Sequence, residues 1–398
     1  FWIYFFDRGI DCFMYHFSSS YRNFSDHVWG FIVRLGDIMK RSIFIFVIIW
    51  FLGISTGFTQ EEMSSSELTL IDGLAYKGDA DKPFTGVMHN NNEEDEQFGI
   101  FTFKDGILHG LVETYWNIDK DLRSRGYAVN NNRSGTIEFF DKEGGLELIQ
   151  TFKNDVLHGA SMHFDEKGVL RLVDYYYDNK QHGIEIIFHE NGKPKTIANF
   201  ENGISVGNFK SYHANGNLHF ESQSEEGNFE GPYVRYHENG NISQKGNFEK
   251  GEMSGIIELF DEDGKLYGRD EVRNSKPNGL AERFYPTGEI KSASQYSNGI
   301  LEGKKIIYFI SGVIECEFMY ENNMEYGPAK CFHENGSLRV KGQFKGGKKE
   351  GTFTYFNASG EFSKTEEFVD GESISVKNKD EFLEEFYDYN VSAISEAK

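Results

Sequence analysis

The chain is poor in cysteine. Cys12, Cys316 and Cys331 are the three it has in 398 residues. Three thiols cannot build a disulfide scaffold or a zinc cluster. Positive charge is short as well: 41 Lys and Arg face 63 Asp and Glu, a net charge of −22. Phosphate backbones and anionic lipid headgroups repel such a chain, so nucleic acid is excluded as an expected partner. The charge instead reads as a solvated, soluble surface. Catalytic signatures are missing too. Neither a Ser-His-Asp set, nor a P-loop, nor a dinucleotide fingerprint stands outside the pattern described below. The expectation is a protein that is not an enzyme and takes no cofactor. Apolar residues make up only 38% and prolines number six.

Glycine and aromatics are plentiful, with 43 Gly, 37 Phe and 21 Tyr. Many rings, many glycines and few aliphatics predict strands joined by tight turns.

The N-terminal part reads differently. Residues 1–38 are aromatic-rich without a clean period, and are expected to be upstream read-through or a cytoplasmic tail. From Met39 the chain runs MKRSIFIFVIIWFLGISTGFT: a basic start, an apolar run and small residues at Ser55 and Gly57. That layout predicts a signal peptide over 39–59 with translation starting at Met39, or a signal anchor if uncleaved. The expected location is therefore outside the cytoplasm, in the periplasm, on the cell surface or secreted. Residues 60–72 read as a linker. Residues 372–398 read as an acidic helical cap, with Phe382, Leu383, Phe386 and Tyr389 at helical spacing.

Between them a clock runs. Twelve glycines from Gly86 to Gly351 follow at 24-residue steps, with a single step of 25 between Gly110 and Gly135. Count each as position zero. An aromatic then recurs at position five: Tyr115, Phe140, Phe164, Phe188, Tyr212, Tyr236, Phe260, Phe284, Tyr308, Phe332 and Phe356. A second glycine recurs at position nine and further aromatics, such as Phe200 and Phe248, at position seventeen. Each step reads as two strands and two turns. One strand is expected from the leading glycine to about position six. The Asn-Gly at positions eight and nine then suits a two-residue hairpin. The predicted fold is all-β: an elongated single-layer antiparallel β-sheet solenoid of about twelve 24-residue hairpin repeats over residues 73–371, closed by a short C-terminal helix. The aromatic columns at positions five and seventeen are expected to supply cohesion along the sheet, the position-five rings as the structural column.

His189, His213, His237 and His333 all stand at position six. Two zinc ligands sit within ~4 Å of each other, whereas equivalent residues of adjacent repeats are ~10 Å apart. These histidines therefore read as strand-end residues, and no stable metal is expected. The Asp261–Gly264 turn lacks the distant ligands of a calcium loop. Asn90–Glu96 reads as a solvated loop. Sequons stand at Asn132, Asn241, Asn335 and Asn357. Cys316 at position thirteen and Cys331 at position four of the next repeat would face each other across adjacent strands. They read either as a cross-strand disulfide or as two unrelated small buried residues.

The segment YHENGNISQKGNFEKGEMSG, from Tyr236 to Gly255, resembles the MORN-repeat variant found in YwqK-family antitoxin-like proteins. The resemblance covers about three quarters of the chain. It implies a repeat architecture and binding rather than catalysis. The leading expectation is an exported, non-enzymatic scaffold for protein interactions, its acidic surface favouring a basic protein partner. The alternative implied by the family is an antitoxin that neutralises a cognate toxin by binding. Membrane-surface association, as in other MORN proteins, conflicts with the charge. The oligomeric state is left open.

Overall fold

Alternating polar and apolar residues in runs of eight or nine, punctuated by glycine, leave the backbone one regular option, the strand. The computed structural model describes residues 60–92, 97–117 and 121–381. The chain divides into units 1–60 and 61–398, and the following concerns the second. The expected tail, signal segment and residues 382–398 lie outside the described residues.

Among the described residues, thirty strands join into one sheet. Neighbours in sequence are neighbours in the sheet and pair antiparallel, as Gly207–Tyr212 with Leu218–Glu225 and the latter with Asn228–Tyr236. Each 24-residue step adds two such strands, so equivalent residues recur at ~10 Å intervals.

Three details differ from the sequence reading. In part of the repeats the first strand begins before its leading glycine, as Asn228–Tyr236 contains Gly231 and Glu252–Phe260 contains Gly255, whereas in others it begins at the glycine as expected, as in Gly183–Phe188 and Gly207–Tyr212. The leading glycine sits where the register shifts. Glu221 pairs with Val234 but Gln223 with Glu230, so extra residues bulge around Gly231. Gly231 has φ 77°, a value that only glycine adopts freely, and a bulge there interrupts the ladder without breaking the strand.

The two corners also exchange roles. At His189–Lys193 the backbone closes through Gly192 N–H to His189 O at 3.0 Å and His189 N–H to Lys193 O at 2.8 Å. Gly192 has a positive φ of 78° but Asn191 does not. This is a three-residue loop with one left-handed residue, not the expected two-residue hairpin. The two-residue turn is at the other corner: Asn202 (φ 53°) and Gly203 (φ 85°) join Glu201 to Ile204, as the mirror-image turns of hairpins require.

The third difference concerns the ends. The expected linker is ordered. Strand β1 (Glu61–Ser64) pairs in parallel with Gly86–Asn92. A single 3-10 turn, Ser65–Glu67, follows, and then a hairpin of Leu68–Ile71 with Leu74–Lys77. Met63 anchors this end, buried with Phe84 and Met88. One apolar residue among acids and serines gives no period to read. Asn90–Asn92 belong to a strand rather than to a loop. At the other end, Glu372–Asn378 is not helical. It is a further strand, antiparallel to Phe362–Val369, with Ile374 and Val376 at the two-residue period of a strand. Helix begins only at residues 379–381.

Candidate interaction surface

A strand sends alternate side chains to opposite faces, so the register sorts every position of the repeat. Positions two, four, thirteen, fifteen and seventeen share one face. Position two holds Ile137, Tyr233, Ile257, Ala281, Ala329 and Phe353, all buried. Position fifteen opposes it with small or polar residues: Ala198, Ser222 and Ser294 are buried, and Gly246 and Gly342 oppose Tyr233 and Phe353 as Gly246↔Tyr233 and Ala329↔Gly342 ladders run on. Small floor residues with rings on either side make a trough along the sheet.

The phenylalanine and tyrosine rings that cluster are in this trough. Phe220, Tyr233 and Phe248 form a buried cluster, with Phe209, Phe229 and Met253 packed against it. Their centroids lie 4.6 to 6.3 Å apart, as in Tyr233–Phe248 and Phe220–Phe248, the range in which aromatic pairs attract. Farther on, Phe344, Phe353 and Phe368 continue the series at 5.7 and 5.1 Å. Buried tyrosine hydroxyls find partners: Tyr233 Oη donates to Met253 Sδ at 3.3 Å, and Tyr320 Oη to Glu325 Oε1 at 2.7 Å. Burial first, and then that bond to Glu325, pushes Tyr320 up to about 12.

The position-five column does not supply this cohesion. Phe188 is buried, but the others are half-buried. They stand by the corners, where a cation of position fourteen covers some of them: Lys245 over Phe260 at 5.1 Å, Arg269 over Phe284 at 5.7 Å and Lys341 over Phe356 at 6.0 Å. The sequence reading chose this column because its residue type is constant. Positions two and fifteen vary between Gly, Ser, Ala, Ile, Tyr and Phe, so periodic matching passes over them, whereas the recurrent rings of position seventeen, such as Phe248, do lie in the trough. Around position fourteen the face is charged: Lys210 pairs with Glu221 at 3.5 Å, and Arg269 with Glu258 and Glu282 at 3.8 and 3.3 Å. Tyr236 donates to Glu221 at 2.6 Å; burial and then that bond raise its hydroxyl above the ordinary tyrosine value.

The position-six histidines tie repeat to repeat. Nε2 of His189, His213, His237 and His333 reaches the carbonyl oxygen of Tyr212, Tyr236, Phe260 and Phe356 at 2.9 to 3.0 Å. A carbonyl only accepts, so each Nε2 carries the proton. The corner asparagines run alongside, Asn191 to Ala214 O and Asn335 to Ala358 O. Where position six is aspartate, the carboxylate instead accepts within its own corner. Asp165 takes the N–H of Lys167 and Val169 and pairs with Arg171. Those bonds, the Val169 N–H first, hold its carboxyl below the ordinary range. An open depression of about 710 Å³ between these corners includes Arg171, His189 and Lys195. Arg171 is already engaged by Asp165 and by His189 O at 2.8 Å.

Cys316 and Cys331 are opposed in register and joined by a disulfide, with Cα atoms 4.0 Å apart. Two charged groups in the trough are left incomplete: Asp174 Oδ1 and Arg235 Nε are buried without a partner. No sequence signal marked either, because an orphan is defined by what its neighbours lack.

Comparison with known proteins agrees with the repeat geometry. The family described as the MORN repeat variant matches residues 181–202, 205–225, 229–250, 277–298 and 325–345. No curated protein matches the chain. Among solved structures, the crystal structure of TcdB2-TccC3-TEV aligns at 13% identity over 79% of this chain and 20% of that one, with a TM-score of 0.17. A Photorhabdus luminescens Tc holotoxin pore aligns at 13% identity over 78% and 19%, with a TM-score of 0.16. The chain thus spans about a fifth of the length of these structures, and likeness at that TM-score carries no argument. The five matched segments fall in the register of the 24-residue clock, with strands and corners where the repeat places them: the chain carries MORN-variant repeats.

Proposed function

We propose that this repeat protein is an exported, non-enzymatic scaffold whose trough face binds a protein partner. The observation that carries the reading is an aromatic-lined face on a sheet with no second layer among the described residues. In a sandwich such a face would be covered by another sheet. Here Phe209, Phe229 and Met253 are only partly covered by their own neighbours. Rigid aromatic surface of this kind is what protein interfaces use for anchoring. The net charge of −22 favours a partner with basic flanks. The Cys316–Cys331 disulfide supports export, because such bonds persist in oxidising compartments.

The test is a pull-down with the full chain, read by mass spectrometry and repeated with Phe229→Lys. A partner recovered by the wild type and lost by the variant supports the reading. Equal recovery refutes the trough as the surface. Cell fractionation addresses export: full-length chain in the cytosol with freely alkylated Cys316 and Cys331 would overturn it and favour an antitoxin role.

A further inference from the structure

Arg235 and Arg283 hold the same place, position four, in repeats two steps apart. Their surroundings differ. The Arg283 guanidinium grips Asp270 through two bonds of 2.5 and 3.0 Å. Asp270 is position fifteen of the preceding repeat; for Arg235 that place is filled by Ser222. Across the strand pair Gly268 faces Arg283, whereas Phe220 faces Arg235. The Arg235 guanidinium therefore lies over the Phe220 ring, 5.2 Å from its centroid. Its Nε is buried with no acceptor, and the group forms no ion pair among the described residues.

This isolation is unusual for a chain with 63 Asp and Glu. On the trough face around Arg235 the neighbours are Phe209, Ser211, Phe220, Ser222, Tyr233 and Gln244, none of them acidic. A half-desolvated guanidinium on an aromatic floor retains attraction from the ring but lacks an anion. His219, adjacent in sequence to Phe220, adds no second charge at neutral pH: burial first, then His213 and Arg235, lowers its pKa.

We propose that Arg235 receives a carboxylate from the protein partner, presented beside an apolar side chain that packs on the Phe220 and Phe229 rings. The planar fork of a single guanidinium matches a carboxylate, and the Arg283–Asp270 pair shows that match made between adjacent repeats of this chain. A phosphate would call for several cations converging, and here there is one. Basic flanks on the partner would meet the acidic surface while one acidic residue seats in the trough.

This inference rests on the trough as the partner-binding face, yet it is tested without a partner. The full chain is titrated calorimetrically with N-acetyl-phenylalanine and, separately, with its uncharged amide. The acid is expected to bind at least tenfold more tightly than the amide. Arg235→Gln is expected to erase that difference. Ser222→Asp, which supplies a carboxylate at the place Asp270 fills, is expected to weaken the acid at least tenfold by occupying Arg235 internally. Equal affinity of the wild type for acid and amide overturns the inference without any variant having to fold. So does undiminished binding in Arg235→Gln. Either failure would leave the outcome of the pull-down untouched, so the two readings fall separately.

Discussion

The two faces of this sheet hold themselves together by different physics. In the trough, rings pack on rings, and Tyr233 is only 1% exposed although no second layer among the described residues covers it. On the opposite face, charges alternate across strands, as in Lys210–Glu221 and Glu258–Arg269–Glu282, with side chains about a third exposed. Burial of apolar area is worth ~25 cal/mol per Å², whereas solvated ion pairs are worth ~0–1 kcal/mol each. One face therefore supplies most of the cohesion, and the other keeps the sheet in solution. A single layer can fold because its trough side chains are wide enough to shield each other.

The comparison is broken most directly by Tyr233→Ala, which empties the trough and should cost ~3–5 kcal/mol, read as a lowered midpoint in urea unfolding. Gly246→Ala perturbs the same pair from the other side. A Cβ there would meet the Tyr233 ring 2.7 Å away, and such overpacking should cost ~1–3 kcal/mol. If the alanine is accepted without loss, the trough is less tightly filled than described. His213→Ala removes one link between repeats and should cost ~1 kcal/mol, with broadening of the unfolding transition as neighbouring repeats uncouple. Lys210→Ala on the charged face should change stability by less than ~0.5 kcal/mol. A loss as large as that of Tyr233→Ala would erase the distinction between the faces.

Alkali gives a further test, in which the substitution at Tyr320 isolates the share of the trough from that of raised tyrosines such as Tyr236 outside it. Tyr320 has a folded value of about 12, against ~10 for a free tyrosine. A raised folded value means that its stabilisation is complete below pH ~10 and is lost as the pH climbs toward 12. The wild type should therefore lose stability across that window, and Tyr320→Phe should flatten the loss.

Much of this architecture was legible. The 24-residue spacing identified the repeat, the strand pairs and the opposition of Cys316 to Cys331. Constancy of residue type was a mixed guide to cohesion: the recurrent rings at position seventeen, such as Phe248 and Phe368, are buried in the trough, but those at position five are not its core. Position five is aromatic from Tyr115 onward, yet its rings stand beside the corners, some of them under a cation, as Phe260 and Phe284 do. Position two varies because each residue has only to match its opposite number, Tyr233 with Gly246 or Ile257 with Asp270. The corners were misassigned for a similar reason. Asn-Gly suits a left-handed pair, yet the Asn191 side chain is used to reach the next corner while Gly192 alone takes the positive φ. The end strands Glu61–Ser64 and Glu372–Asn378 follow from pairing with a neighbour, which no short window of sequence reports.

Because every strand touches only the two beside it, length is a free variable. Removing residues 208–231, one whole module, would bring Gly207 directly before Pro232 and preserve the phase of everything downstream, whereas cutting 23 residues would turn each later side chain to the wrong side. The molecule thus behaves as a ruler graduated in steps of 24, able to grow or shrink by recombination while its surviving divisions keep their spacing.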